Sequence, residues 1–310
     1  MKARSVTAER SSAIPIFELI LASAIWGFAF VAQRKGNESL HPLFFNALRF
    51  GIGSLFLLTL IQIKAPKARP KLKADLLLLG CILFIASALQ QIGLLWTSAG
   101  SGGFITGLYV VFIPIIGIFK KQKLSKLIIA SIFLAVPGLW LINSGASVDA
   151  TFGNLLVLIS AIFWAMHVQY IDTIVQRYPS LWVAFSQYAI CAVINFIVWL
   201  AGMLLKFIEP VTVHSLAANV SQAAIPVLYS GICSVGIAYT LQLHAQKKVA
   251  PSPAGIILCM EAVFALLGGW LLLNEQITWY SIGGAALLFT AMIVSTVPST
   301  KPELAESSQP

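Results

Sequence analysis

Charged side chains are scarce in this sequence. Only 10% of its 310 residues are Asp, Glu, Lys or Arg, and 11 of those are acidic; a soluble globular protein carries about a quarter charged residues. A chain so poor in charge has no surface to offer water. Long polar stretches are missing too. Residues 14 to 297 fall into ten apolar runs joined by short polar segments: 14–31, 43–63, 76–96, 102–119, 124–142, 154–174, 181–205, 222–244, 253–273 and 277–297. Each is close to the ~20 residues that carry a helix across a bilayer. None alternates polar with apolar residues, which excludes a membrane β-barrel. Catalytic patterns are also lacking: there is no H-E-x-x-H, no nucleophile elbow and no Walker A loop. Cys81, Cys191, Cys233 and Cys259 stand in different runs without metal-ligand spacing, and read as small buried hydrophobes. No cofactor, metal or cleavable signal peptide is expected.

The net charge of +9 would suit nucleic acid, but its placement argues for membrane topology instead. With the N-terminus cytoplasmic, 16 Lys and Arg residues fall in inside segments, three (Arg34, Lys35 and Lys206) fall outside, and Arg49 lies within a span. The bias predicts an even number of spans and both termini in the cytoplasm. The loops 97–101 and 144–152 are then outside.

The two halves of the chain resemble each other. Ser23-Ala24-Ile25-Trp26 in the first run matches Ser160-Ala161-Ile162-Phe163 in the sixth, at an offset of 137. Leu48-Arg49-Phe50 matches Ser186-Gln187-Tyr188 at 138, Gln91 matches Gln242 at 151, and Gly138 matches Ala291 at 153. Five spans per copy is an odd number, so the second copy enters the membrane from the opposite side. Such an inverted repeat is a common build of secondary transporters. The expected fold is all-α: ten transmembrane helices in two inverted five-helix repeats, over 14–143 and 153–297, with cytoplasmic tails 1–13 and 298–310.

Several motifs carry a resemblance to a known family. They are Ala24-Ile25-Trp26-Gly27, the stretch Thr97-Ser98-Ala99-Gly100-Ser101-Gly102-Gly103-Phe104-Ile105-Thr106-Gly107, Pro114, and Leu273-Asn274-Glu275-Gln276-Ile277-Thr278 followed by Gly283-Gly284-Ala285-Ala286. In these the chain resembles the drug/metabolite transporter superfamily, specifically the ten-helix EamA-type permeases of bacteria. It departs in the first half, where Lys120-Lys121-Gln122-Lys123 stands in place of a Glu after the fourth span; only Glu275 occupies such a position. The resemblance implies solute transport, often export, in a bacterial inner membrane.

The polar residues inside the spans are the candidates for chemistry. Glu261 lies mid-way along the ninth run, where an ionisable group is costly unless paired, protonated or wet. It reads either as a carboxylate for proton coupling or a substrate amine, or as an interhelical hydrogen bonder. Arg49 reads as snorkelling, as pairing with an acid, or as binding a substrate carboxylate. His167 shares a helical face with Ser160 and Trp164 and reads as a titrating group or a satisfied core histidine. Gln90, Gln91 and Gln242 can cross-link helices or line a central site. Trp26, Tyr109, Trp164 and Tyr239 are candidate cavity aromatics, against the alternative of ordinary packing. Thr97–Gly107 lacks a lysine after its glycines, so it reads as a tight turn and close helix contact rather than a phosphate loop. Gly51-x-Gly53 and Gly268-Gly269 likewise read as close contacts.

These features predict a membrane transporter for a small organic metabolite, amino-acid-like and exported, working by alternating access. A second reading is an exporter of cationic drug-like compounds. A third, of another class, is an intramembrane enzyme or signalling protein. The expected partners are a small-molecule solute and the lipid bilayer, with protons as the coupling ion and a homodimer as the assembly to test. Nucleic acid is not expected.

Overall fold

A computed structural model of the chain describes residues 13–64, 73–97, 99–122, 124–143, 152–274 and 276–297. Both tails, most of the 144–152 loop and Glu275 lie outside the described residues. All regular structure among the described residues is helical.

The chain crosses ten times. Single helices make seven crossings, the tenth and six others: α1 (Ala13–Asn37), α2 (Pro42–Lys64), α3 (Ala74–Gly93), α6 (Lys126–Asn143), α7 (Phe152–Ile174) and α8 (Ser180–Leu204). The fourth crossing joins α4 (Ala99–Gly107) to α5 (Tyr109–Phe119). A short amphipathic helix, α9 (Val213–Gln222), precedes the eighth, which runs through α10 (Ala224–Leu228), a π-helical segment (Tyr229–Ala238) and α11 (Tyr239–Ala245). The ninth is α12 (Pro251–Leu258) with α13 (Glu261–Leu273), and the tenth is α14 (Trp279–Thr296). Among the described residues, nine crossings are long and apolar enough to span a membrane, and α6 is a shorter apolar helix.

Burial is inverted relative to a soluble protein. Phe119, Phe133, Leu204, Phe207, Ile225 and Trp279 are each at least three-quarters or nearly three-quarters exposed, whereas Asn46, Gln91, His167, Gln187 and Asn195 are fully buried. An apolar exterior around a polar interior is stable only with lipid outside, where every polar group must find its partner within the protein. The first helix runs to Asn37, beyond the expected limit at 31. Arg34 at that end donates to the carbonyls of Leu94 and Thr97, so its charge is hydrogen-bonded within the fold.

The packing repeats when one half is exchanged for the other. The α3 helix packs on α7, as α1 packs on the eighth crossing. The ninth crossing lies on α1, as the fourth lies on α7. The pairs α2 with α8, and α6 with α14, map onto themselves. Close approach depends on glycine at two of these contacts. A Cβ on Gly93 would lie 2.8 Å from the Gly153 carbonyl, and one on Gly153 would lie 2.7 Å from that of Gly93. A Cβ on Gly27 would meet the Cβ of Phe264 at 2.3 Å and the Ala265 nitrogen at 2.7 Å. The Gly51-x-Gly53 expectation holds for one partner only: Gly53 packs on Val235 and the Gly231 carbonyl, but Gly51 faces open space.

Both halves break one helix at the same level. The backbone tightens to i→i−3 bonds at Leu108 and Val111, and again at Met260, Ala262 and Val263. Such tight turns within a helix often mark a hinge. Because the Val111 nitrogen bonds to Leu108, it does not take up the Gly107 carbonyl; the Cys259 thiol donates there instead, at 3.2 Å. The two breaks therefore touch across the centre of the bundle.

Candidate functional site

The breaks open onto a cavity lined by both halves. Its aromatic wall is Trp26, Tyr239 and Trp164. The Trp26 and Tyr239 rings are 4.6 Å apart, and Trp164 stacks on Tyr239 at 6.0 Å with 23° between planes. Trp26 is fixed by its indole N–H, which donates to the Ser234 carbonyl in the π-helical segment at 3.2 Å. That segment brings Ser234 and Tyr239 to the wall, and π-helical turns recur at functional sites.

The polar wall comes from Gln33, Gln90, Thr106, Gln242, Arg49 and Glu261. Gln90 donates to the Thr106 hydroxyl at 2.9 Å and so ties α3 to α4. The Glu261 carboxyl, 4% exposed, begins α13. The Tyr109 hydroxyl, at the start of α5, lies beside it and interacts with it in the cavity wall. The Arg49 guanidinium donates from Nε to Asn46 Oδ1 at 2.8 Å, and Asn46 is anchored in turn on the Ser87 carbonyl at 3.0 Å. Its Nη2 has no partner. Buried polar atoms are nearly always hydrogen-bonded. Gln33, Trp164 and Gln242 in the same lining also carry a buried polar atom without a partner.

Eight of the ten residues singled out from the sequence meet in this cavity: Trp26, Arg49, Gln90, Tyr109, Trp164, Tyr239, Gln242 and Glu261. The other two stand outside it. Gln91 points one helical step away and donates to the Gln33 carbonyl at 3.1 Å and Asn37 Oδ1 at 2.8 Å, cross-linking α1 and α3. His167 lies behind the aromatic wall, edge-on to Trp164 and Tyr239, with its Nε2 2.7 Å from Gln187 Oε1. His244 is exposed and pairs with Glu18 at 2.8 Å. Gln33, Thr106 and Ser234 were not read as site residues from the sequence.

A register shifted by one residue aligns cavity residues of the two halves. Gln90 matches Gln242, and Tyr109 matches Glu261, at a common offset of 152. Trp26 matches Trp164, and Phe30 matches Val168, at 138. In that register the cavity walls pair off between halves.

Polar contacts cross-link the helices toward both ends of the bundle. At the end away from the termini, Arg34 holds Leu94 and Thr97, Asn37 donates to the Gln91 carbonyl at 3.0 Å, and the Thr97 hydroxyl meets Asn154. At the other end, Gln169 donates to the Ile113 carbonyl at 2.9 Å and pairs with Gln122, while Gln246 donates to the Val168 carbonyl at 3.1 Å. Among the described residues no group of three or more His, Cys, Asp or Glu could hold a metal ion.

A ten-crossing helical bundle with an apolar exterior and a polar cavity between its helices defines a multi-span membrane protein. The model of the EamA-like transporter family matches residues 13–144 and again 151–297, and the chain belongs to that family. An uncharacterized transporter of Archaeoglobus fulgidus is 28% identical over 277 residues, covering 89% of this chain and 83% of its own length. The Bacillus subtilis transporter YoaV, also uncharacterized, is 26% identical and covers 90% of this chain and 95% of its own. The Escherichia coli inner membrane transporter YedA is 25% identical, with 91% of each chain covered. A solved crystal structure superposes with a TM-score of 0.72 at 17% identity, over 93% of this chain and 97% of that one, which shows a shared fold.

Proposed function

We propose that this membrane transporter moves a small, amino-acid-like organic metabolite by alternating access, with Glu261 carrying the coupling proton. The observation that supports this reading is a cavity lined by both halves, whose packing interchanges, with hydrogen-bond latches toward each end of the bundle. Five crossings per half make the repeat inverted, so rocking of one half against the other opens the two ends in turn. The latches are side-chain hydrogen bonds, which in membranes average about 0.6 kcal/mol each. Either latch can therefore open without unfolding the bundle. A cavity holding aromatic faces, one guanidinium and one carboxyl suits amphipathic metabolites such as amino acids. The family resemblance makes export the direction to test first.

The test is reconstitution into proteoliposomes with a panel of amino acids and related metabolites, with and without an imposed pH gradient. At least one amphipathic solute should move faster with the gradient. Uniform failure of the panel, or identical rates with and without the gradient, would sink the proton-coupled reading.

Orientation can be tested separately. The positive-inside bias puts both termini in the cytoplasm and Lys206, exposed between α8 and α9, outside. Lys206→Cys should react with an impermeant maleimide in intact cells. Reaction only after permeabilisation would invert the topology.

A further inference from the structure

The cavity contains one permanently charged cation, and the repeat shows what its counterpart is. Arg49 and Gln187 hold matching places: each is seven residues in from the first residue of its helix, Pro42 in α2 and Ser180 in α8. Their neighbours Phe50 and Tyr188 meet where those helices cross, with ring centroids 6.1 Å apart. A rise of 1.5 Å per residue sets both side chains about 10 Å deep, from opposite faces of the membrane. Their surroundings differ. Arg49 is in the cavity wall; Gln187 is outside it, with its Oε1 bonded to His167.

Arg49 is neither snorkelling nor paired. It is 2% exposed, and no ion pair among the described residues includes it, Glu261 in the same cavity included. Asn46 takes Nε, and the Phe50 ring lies 4.8 Å from the guanidinium carbon. A cation–π contact contributes far less than the several kcal/mol that burying a charge costs. Nη2 is left without a partner. A guanidinium in a cavity wall, held through Nε and with Nη2 unpartnered, has the chemistry to grip a carboxylate. With a single cation present, a monoanion fits better than a phosphate dianion.

We infer that Arg49 is the carboxylate-binding residue of the cavity, and that this subsite is one-sided. The first half places a guanidinium here, nearer the end away from the termini, whereas the equivalent place in the other half holds the Gln187–His167 pair. This deepens the transport reading and rests on it for the identification of the ligand as a solute. A solute's carboxyl is then gripped when the cavity opens away from the termini and loosened when it opens toward them. Arg49→Gln makes the two halves alike at this place.

The test uses the full chain in lipid nanodiscs with three matched probes. Norvaline carries both charges, pentanoate lacks the amine and butylamine lacks the carboxyl. Arg49→Gln should weaken norvaline and pentanoate at least about tenfold, the loss expected for one charged hydrogen bond, and leave butylamine unchanged. Arg49→Lys, which keeps the charge but not the fork, should fall between. In vesicles of defined orientation, the norvaline KM should differ between faces in the wild type and converge in Arg49→Gln. The carboxylate subsite is overturned if none of the probes binds the wild type, if butylamine alone binds, or if all three weaken equally. Equal loss of norvaline affinity at both faces overturns its one-sidedness. Norvaline binding that depends on Arg49 without norvaline transport under any gradient overturns the transport reading and leaves the subsite standing.

Discussion

Glu261→Gln should leave the protein folded and inserted while flattening the pH dependence of transport. Glutamine has nearly the same shape and hydrogen-bonding reach as glutamic acid but cannot exchange a proton in this range. The site favours a proton-carrying role over a purely structural one. An interhelical strut would be packed away from the cavity, whereas Glu261 and the adjacent Tyr109 both line it. If Glu261 were such a strut, the substitution would cost about 0.6 kcal/mol and leave the pH profile as it was. Rates should be measured across pH 5 to 9 in proteoliposomes, on protein shown by gel filtration to match the wild type. An unchanged profile in that protein assigns Glu261 to structure and removes it from coupling.

Gly27→Ala should lower the thermal stability of the bundle sharply, while Gly51→Ala should have almost no effect. Both glycines lie inside apolar helices, and their sequence contexts look alike. At Gly27 the added methyl would overlap the backbone of the ninth crossing, 2.7 Å from the Ala265 nitrogen, a contact that no side-chain rotation relieves. The first and ninth crossings must then separate. Such overpacking typically costs about 1–3 kcal/mol. At Gly51 the methyl meets nothing within 4 Å, and the greater helix propensity of alanine acts alone. Thermal unfolding in detergent should show the contrast. Equal stability of the two variants would contradict the observed crossing of α1 with α13.

The sequence was informative where the physical signal is large. A run of about twenty apolar residues without charge has one stable solution in a membrane, and ten such runs specify a helical bundle. A carboxyl or guanidinium inside such a run is costly enough to mark itself, so Glu261 and Arg49 were visible as candidates. Single-residue register was not visible. Gln91 looked like the partner of Gln242, but the cavity holds Gln90 and gives Gln91 to Asn37 and the Gln33 carbonyl. One residue on an α-helix is a rotation of about 100°, enough to move a side chain from one neighbour to another. Weak resemblance between repeats does not resolve that step.

The chain by itself therefore determined the solvent of the fold, the number of crossings and which buried groups are unusual. Each follows from a local transfer cost of several kcal/mol that composition alone reveals. Tertiary structure decided which of those groups share a space. It brought Tyr109 beside Glu261 through two helix breaks that meet at Gly107 and Cys259. It set His167 behind Trp164 and Tyr239, and left Arg49 facing the cavity while enclosing Gln187. Those outcomes depend on helix rotation and crossing, which many small packing contacts fix together and no single stretch of sequence specifies.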